Sequence, residues 1–308
     1  MTRETVVQIR GLTKRIKGKT IVDSLTFDVP GGEVFGFLGP NGAGKTTTIR
    51  MMVGLMGMSG GEVLIDGISV KKDFTRAISR VGAIVENPEM YKFLTGYQNL
   101  IHFARMHPGI PKSRIDEVVE LVGLGQRIHE KVKTYSLGMR QRLGVAQAML
   151  HKPAVLILDE PTNGLDPAGI RELRDYLRTL AAKEGTAVIV SSHLLSEMEL
   201  MCDRVAILQK GKLVTVKSLK EWMGRDAAPR HVFEVDRPAD AAAVLQRTMG
   251  LAPAAIGHQQ LEVEAERERI PGMTAQLIAA GIAVFGIRKV QSTLEEQFLA
   301  MTGGDQVG

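Results

Sequence analysis

Apolar runs of strand length recur along the first part of the chain. Residues 33–38, 154–158 and 186–190 are almost continuously apolar, which is typical of strands buried on both faces of a parallel sheet. Between the second and third runs, four apolar residues recur at helical spacing: Ile170, Leu173, Leu177 and Leu180. They predict a crossover helix with one apolar face. Strands and helices in alternation predict an α/β core.

Three other segments alternate apolar and polar residues and are bounded by turn residues. Residues 6–9, 22–29 and 62–65 show the period of two that predicts half-exposed strands. We expect these strands to form an antiparallel sub-sheet beside the α/β core. Residues 113–122 predict a helix with Ser113 as its N-cap.

The pattern changes after residue 217. Residues 231–302 alternate short strand patterns with alanine-rich helical ones, which predicts a small α+β domain ending in a helix at residues 293–301. The predicted domains are therefore residues 1–217 and residues 218–308. No catalytic motif is found in the second of them.

Composition narrows the class of protein. The chain has 308 residues, of which 44% are hydrophobic and 24% charged, as in an ordinary soluble protein. Its net charge is +5 and its basic residues are dispersed along the chain, so the charge does not require a nucleic-acid partner. Cys202 is the only cysteine, which excludes a disulfide and favours a reducing cytoplasm. The N-terminus is too polar for a secretory signal. The longest apolar stretch, residues 273–287, is shorter than the roughly 20 residues of a spanning helix. It predicts a helix, a turn at Gly281 and a strand.

Residues 39–46, GPNGAGKT, match the phosphate-loop pattern G-x-x-x-x-G-K-[ST] at every fixed position. Its glycines are expected to take positive φ and turn backbone N–H groups onto an anion. Lys45 is predicted to reach the β- and γ-phosphates, and the Thr46 hydroxyl to bind Mg²⁺. The flanking strand and helix favour a bound triphosphate over a plain glycine-rich turn. The candidate phosphate-binding residues are Gly39, Pro40, Asn41, Gly42, Ala43, Gly44, Lys45, Thr46 and Thr47.

Two carboxylates follow the apolar run at residues 154–158. Asp159 and Glu160 would lie at the carboxyl end of a parallel strand, where α/β sheets bind their ligands. Asp159 is predicted to hold Mg²⁺ through water, and Glu160 to polarise the water that attacks the γ-phosphate. The alternative to this functional interpretation, for an Asp-Glu pair taken alone, is a strand end exposed to solvent. His193, just past the run at 186–190, is expected at the same edge, in reach of the γ-phosphate or that water.

A third motif, YSLGMRQ at residues 135–141, precedes a helical pattern and makes Ser136 a natural N-cap. With these motifs in this order, residues 5–215 resemble the ATPase subunits of ATP-binding cassette (ABC) transporters. The resemblance implies a phosphate-loop NTPase core with an antiparallel sub-sheet and a helical subdomain. It also implies a head-to-tail homodimer formed on ATP binding, in which Ser136 and Gly138 contact the γ-phosphate bound to the other subunit. Residues 163–166, which end at Asp166, would cross that interface, and His193 would be the switch histidine.

The chain departs from the family's pattern at several positions. Leu137 and Met139 replace a glycine and a glutamine of the signature, and Ile16 occupies the place of an adenine-stacking aromatic residue. Glu86 stands where the family has a glutamine that reaches Mg²⁺ and the attacking water. Glu86 is therefore a candidate for both nucleotide and metal binding. Glu86 together with SLGMRQR resembles the subgroup that exports bacitracin and lantibiotic-type peptides.

The function expected from the resemblance is ATP hydrolysis, with ATP and Mg²⁺ as cofactors, at the cytoplasmic face of the cell membrane. The subunit would drive integral-membrane permease subunits encoded separately, and no nucleic acid is expected as a partner. The alternative is a soluble ABC-type ATPase acting on the ribosome or DNA; such chains commonly carry two cassettes or long coiled coils. A phosphate-loop GTPase would require an N-K-x-D motif, which this sequence lacks. The C-terminal block resembles the accessory domain of drug- and peptide-export ATPases, for which dimerisation or regulation is the default hypothesis.

Overall fold

The structure is a computed structural model that describes residues 4–107, 109–222 and 229–290. The chain divides into two compact units between Ser218 and Leu219. Each unit has its own hydrophobic core. In the described residues, no helix is long and apolar enough to cross a membrane.

The first unit contains strands and helices in alternation. Its strands are β1 (Thr5–Ile16), β2 (Lys19–Pro30), β3 (Val34–Leu38), β4 (Gly60–Ile65), β5 (Ile68–Ser69), β6 (Val81–Ile84), β7 (Val155–Asp159), β8 (Ala187–Ser192), β9 (Arg204–Gln209) and β10 (Lys212–Ser218). Its α-helices are α1 (Lys45–Met52), α2 (Phe74–Ile78), α3 (Gly96–Ala104), α4 (Lys112–Leu121), α5 (Leu137–Ala148), α6 (Pro167–Glu184) and α7 (Leu195–Met201).

The predicted α/β core is confirmed. A 6-stranded sheet has the order β10-β9-β3-β8-β7-β6, and every pair except β10 with β9 is parallel. All residues of β3, β7 and β8 are buried, as continuous apolar runs require in a sheet covered on both faces. The crossover helix α6 buries Leu173, Leu177 and Leu180, and Gly185 ends it with a positive φ of 69°.

The predicted antiparallel sub-sheet is also present, with the order β2-β1-β4-β5. Its strands are longer than the alternating pattern indicated, because bulges in β1 break the period of two without ending the strand. Phe27 of β2 stacks on Phe35 of β3 with ring centroids 5.7 Å apart. The two sheets therefore share one core.

Helices α3, α4 and α5 lie between β6 and β7 in the sequence and form a helical part of the first unit.

The predicted cap at Ser113 is wrong. The N-cap is Pro111 and makes no side-chain capping bond, so Ser113 lies inside α4. Proline fixes its own φ and has no N–H to donate, which makes it a natural entry to a helix. Ser136, by contrast, caps α5 as predicted and accepts from the Met139 N–H at 3.2 Å.

The second unit is a small α+β domain. Its elements are α8 (Leu219–Trp222), β11 (Arg230–Val235), α9 (Pro238–Met249), β12 (Ala254–Ile256), β13 (Gln260–Glu264), α10 (Ile270–Ala279) and β14 (Val284–Val290). The strands form a 4-stranded sheet of order β12-β13-β11-β14, antiparallel throughout. Gly281, with φ of 73°, makes the predicted turn between α10 and β14. The predicted helix at residues 293–301 lies outside the described residues.

Candidate active site

The register of the parallel sheet brings three loops to one edge. Asp159 at the end of β7 pairs with Ser191 of β8, and Leu38 at the end of β3 pairs with Ser192 of β8. The segments after these strands carry the phosphate loop, Glu160 and His193. Carboxyl ends of parallel strands form the ligand-binding edge of α/β folds. Residues far apart in sequence thus lie around one cavity.

The phosphate loop requires glycine for two different reasons. Gly42 and Gly44 have positive φ, 79° and 103°, as expected. Gly39 does not, and that part of the prediction is wrong. Instead, a Cβ at Gly39 would lie 2.3 Å from the carbonyl oxygen of Leu208. Glycine is needed there because the loop passes directly against β9.

Gly44 is also the N-cap of α1, and no side chain caps the helix. The first N–H groups of a helix have no partner within the helix. They point out of the N-terminus with the positive end of the helix dipole, which favours an anion such as a phosphate. The loop and helix together have the geometry expected of a phosphate cradle, and phosphate binding by these residues stays a prediction.

Lys45 is buried inside the loop. Its Nζ donates to the carbonyl oxygen of Gly39 at 2.6 Å and of Pro40 at 3.4 Å, and it lies 3.5 Å from Glu160 Oε1. Burial lowers the pKa of the ammonium, and the negative charges of Glu160 and Asp159 oppose that shift. The ammonium therefore faces both carboxylates across the site.

Thr46 and Asp159 form a pair of oxygen ligands. Thr46 Oγ1 lies 3.4 Å from Asp159 Oδ1, although the two residues come from α1 and β7. Hydroxyl and carboxylate oxygens are ligands that Mg²⁺ prefers, usually together with waters and substrate phosphates. The donor set next to the phosphate cradle therefore fits a magnesium ion.

Ser191 holds both carboxylate residues, and the sequence reasoning missed it. Its Oγ donates to Asp159 Oδ1 at 2.6 Å and accepts from the Glu160 N–H at 2.9 Å. Ser191 is fully buried. Glu160 has a φ of 49°, an uncommon conformation for a residue with a side chain. The hydrogen bond from its N–H to Ser191 helps to fix the backbone in that conformation.

Glu160 and His193 contact each other. His193 Nδ1 lies 2.9 Å from Glu160 Oε2. Because an ionised carboxylate only accepts hydrogen bonds, the proton of this contact is on Nδ1. The other ring nitrogen, Nε2, is then an acceptor in the neutral ring and a donor in the charged one. The pair thus places a carboxylate and a second polar group at the mouth of the phosphate loop.

These groups surround a cavity of ≈ 390 Å³, which is within the range of small-molecule sites. Sequence reasoning had not connected Ile21 of β2 or Asn163 with this cavity. Ile21 is an apolar wall residue and gave no motif signal. Asn163 had been placed only in the interface segment. The lining residues are Ile21, Asn41, Gly42, Ala43, Gly44, Lys45, Thr46, Thr47, Glu160, Asn163 and His193.

Seven of the predicted site residues are not among the residues that line the cavity. Gly39 and Pro40 belong to the phosphate loop and Asp159 directly precedes Glu160; the other four are Glu86, Ser136, Gly138 and Asp166. Glu86 forms an ion pair with Arg50 of α1 at 2.5 Å, with 68% of its side chain exposed. Ser136 and Gly138 lie at the start of α5, where a Cβ at Gly138 would be 3.7 Å from Leu165. Asp166 caps α6 by accepting from the Gly169 N–H at 2.9 Å.

Ser136, Gly138 and Asp166 thus belong to a second local cluster, in which the start of α5 meets the segment before α6. The N-terminus of α5 also presents backbone N–H groups with a positive dipole end. A role for this cluster in the nucleotide site of another subunit stays a prediction, as does metal binding by Glu86.

The comparisons with known proteins all point to the same family. A family model described as ABC transporter matches residues 22–163. The uncharacterized ABC transporter ATP-binding protein YhcH of Bacillus subtilis (strain 168) is 57% identical over 300 residues, which cover 97% of each chain. The bacitracin transport ATP-binding protein BcrA of Bacillus licheniformis is 37% identical and covers 99% of both chains.

A solved structure described as the ATP binding subunit of an ABC transporter superposes with a TM-score of 0.63. It is 28% identical and covers 72% of this chain and 93% of the other.

Proposed function

The chain belongs to the ATP-binding proteins of ABC transporters and is an ATPase of that family, and we propose that it powers export through separate membrane subunits. The observation that supports ATP hydrolysis is the convergence of Lys45, Glu160 and His193 on one cavity at the phosphate loop; the transport protein among the relatives supports export. The cradle supplies N–H groups and an ammonium for the phosphates of ATP. The carboxylate and the imidazole lie where the attacking water would approach.

Glu160 is the proposed general base. Its carboxylate polarises the water, which attacks the γ-phosphorus in line with the departing ADP oxygen. Phosphoryl transfer depends mostly on positioning and on charge stabilisation, so fixing Glu160 through Ser191 and His193 is part of the catalytic function. Lys45 would leave its contacts with the loop carbonyls for phosphate oxygens and stabilise the negative charge of the transferring group. His193 would contact the γ-phosphate or the water through Nε2.

Thr46 and Asp159 are the residues proposed to hold Mg²⁺. When bound, the ion neutralises phosphate charge and orients the β- and γ-oxygens. Glu86 is proposed as a third residue that influences this site. To do so, it would have to leave Arg50.

Two subunits are proposed to close around ATP head to tail. The phosphate loop of one copy would meet Ser136 and Gly138 of the other, and the segment ending at Asp166 would cross between them. In support, α5 has a capped N-terminus that offers a second anion site. Because Ser136 and Gly138 are not among the residues that line the cavity of their own chain, they are proposed to complete the site of another subunit.

The proposed place of action is the cytoplasmic face of the cell membrane, where separately encoded permeases would hold the subunit. A peptide antibiotic or a drug is the proposed cargo, since a bacitracin transport protein is among the relatives. We assign residues 1–217 to the ATPase domain. Residues 218–308 are proposed as an accessory domain for dimerisation or regulation.

The first test is fractionation. The chain is expressed in its source organism, and its binding to membranes and to ribosomes is measured. Export predicts recovery with an integral membrane protein and ATP-dependent protection of cells against a peptide antibiotic. Recovery with ribosomes or DNA and none with membranes would instead support the alternative function. A Glu160→Gln variant that abolishes protection but still reaches the membrane would separate ATP hydrolysis from assembly.

A further inference from the structure

A buried carboxylate outside the cavity connects two of its loops. Glu197 lies on α7 and is 8% exposed. Its Oε2 accepts from Thr162 Oγ1 at 2.6 Å and from Ser192 Oγ at 3.0 Å. The described part of the structure contains no ion pair of Glu197. A buried carboxylate is costly unless it is hydrogen bonded, so these two hydroxyl groups are its main stabilising partners.

Both hydroxyl groups belong to segments of the active site. Thr162 lies between Glu160 and Asn163, which line the cavity, and its carbonyl oxygen accepts from the Leu165 N–H at 3.0 Å. The backbone of Thr162 is therefore hydrogen bonded within the segment that continues to Asp166.

Ser192 holds the turn that carries His193. Its Oγ accepts from the Leu194 N–H at 3.0 Å while donating to Glu197. His193 is the residue between the two ends of this hydrogen bond. The position of the imidazole therefore depends on a hydroxyl group whose own orientation is set by Glu197.

We propose that Glu197 is a positioning residue that couples the segment of residues 160–166 to His193. This inference rests on the proposed function, in which a second subunit contacts that segment. A shift of Thr162 changes the hydrogen bonding at Glu197 Oε2, and Ser192 and the His193 turn respond. The proposed γ-phosphate contact of His193 is thereby linked to the arrival of the partner.

A purely structural role for Glu197 predicts something different. In that case, replacing Glu197 would lower the stability of the protein, and a change in residues 160–166 would have no effect on the His193 turn. Kinetics of matched variants distinguish these roles. Thr162→Val keeps the shape and removes the hydroxyl group, whereas Thr162→Ser keeps the hydroxyl group. Glu199→Gln is the control for Glu197→Gln, because Glu199 lies on the same helix and is not among the residues of this network.

We expect Thr162→Val, Ser192→Ala and Glu197→Gln each to lower kcat about 10-fold, the loss typical of a hydrogen bond to a charged group. KM for ATP should stay within about twofold, because the phosphate cradle is untouched. Thr162→Ser and Glu199→Gln should keep wild-type kcat. A rise in KM with unchanged kcat, or no rescue by Thr162→Ser, would overturn the proposal.

Amide hydrogen exchange, measured without ATP, tests whether residues 160–166 are coupled to the turn that carries His193. In Thr162→Val, exchange of the Leu194 amide should speed up by about 10-fold, because Glu197 Oε2 loses one of its two donors and no longer holds the Ser192 hydroxyl in a fixed direction. Glu199→Gln should leave it unchanged. If Leu194 exchanges at the wild-type rate in Thr162→Val, the coupling is absent, whatever the ATPase activity. If the coupling is present but the wild type neither dimerises nor serves a membrane partner, the proposed function fails and the coupling stands.

Discussion

Replacing Ser191 with alanine should separate catalysis from nucleotide binding. The Ser191 hydroxyl donates to Asp159 and accepts from the Glu160 N–H. Alanine removes both bonds at a site with no solvent exposure. A hydrogen bond to a charged group is worth about 1.5–3 kcal/mol, and an orphaned buried N–H adds about 1–3 kcal/mol. Because the vacated space relaxes in part, we expect a net loss of about 3 kcal/mol in the free energy of unfolding.

The same change frees the backbone of Glu160, which is held at a φ of 49°. Without the bond to Ser191, the backbone no longer helps to direct the carboxylate toward the attacking water, and only the contacts with His193 and Lys45 remain. We expect kcat to fall about 10- to 100-fold, in line with the value of positioned general bases. KM for ATP should change little, because the cradle contacts of Lys45 are independent of Ser191.

The assay combines steady-state ATPase kinetics with urea unfolding. The matched control is Val188→Ala, on the same buried strand but remote from the carboxylates; it should cost about 2 kcal/mol through lost apolar burial and leave kcat unchanged. An equal loss of kcat in Val188→Ala would show that general destabilisation explains the result. Wild-type kcat in folded Ser191→Ala would refute the positioning role directly.

Three further predictions concern separate parts of the molecule. Tyr176→Phe should raise the free energy of unfolding by about 1 kcal/mol at pH 7, because the buried hydroxyl group has no partner among the described residues. Burial also raises the pKa of Tyr176, so the folded state keeps a proton that the unfolded state loses above about pH 10. Stability of the wild type should therefore fall above that pH more steeply than in the variant, by up to about 1.4 kcal/mol per pH unit; equal slopes in urea titrations would contradict this. Gly39→Ala should weaken nucleotide binding at least about 10-fold through its collision with Leu208, whereas Gly125→Ala, with open space around it, should bind normally. Glu86→Gln should change the Mg²⁺ dependence of ATPase activity and Glu89→Gln should not; identical Mg²⁺ curves would remove Glu86 from the site.

The sequence predicted those features that leave a local pattern. Fully buried parallel strands must be apolar throughout, so β3, β7 and β8 were evident. The phosphate loop was evident because its glycines, lysine and threonine are each required at a fixed spacing. In the C-terminal unit, short strand patterns and alanine-rich helical patterns predicted an α+β domain, and residues 273–287 predicted the helix, turn and strand of α10 and β14. The strand β12, with only 3 residues, is too short to show a pattern.

Other features depend on contacts between distant segments. Gly39 must be glycine because of a carbonyl oxygen in β9, which no local pattern reveals. Ser191 reads as an ordinary strand end until the sheet register places it against Asp159. The Thr162, Ser192 and Glu197 network likewise requires three segments to meet. The failed cap at Ser113 has a local cause, because the preceding proline begins the helix earlier than a serine cap would.

The most direct test of the account is the mass of the Glu160→Gln variant in solution. This variant should bind ATP without hydrolysing it and so retain the closed state. Sedimentation velocity should show a monomer without nucleotide and a dimer with Mg²⁺ and ATP, and Gly138→Asp in the same background should prevent the dimer. A variant that binds ATP but stays monomeric at every protein concentration would contradict the claim that the phosphate loop is half of a shared site.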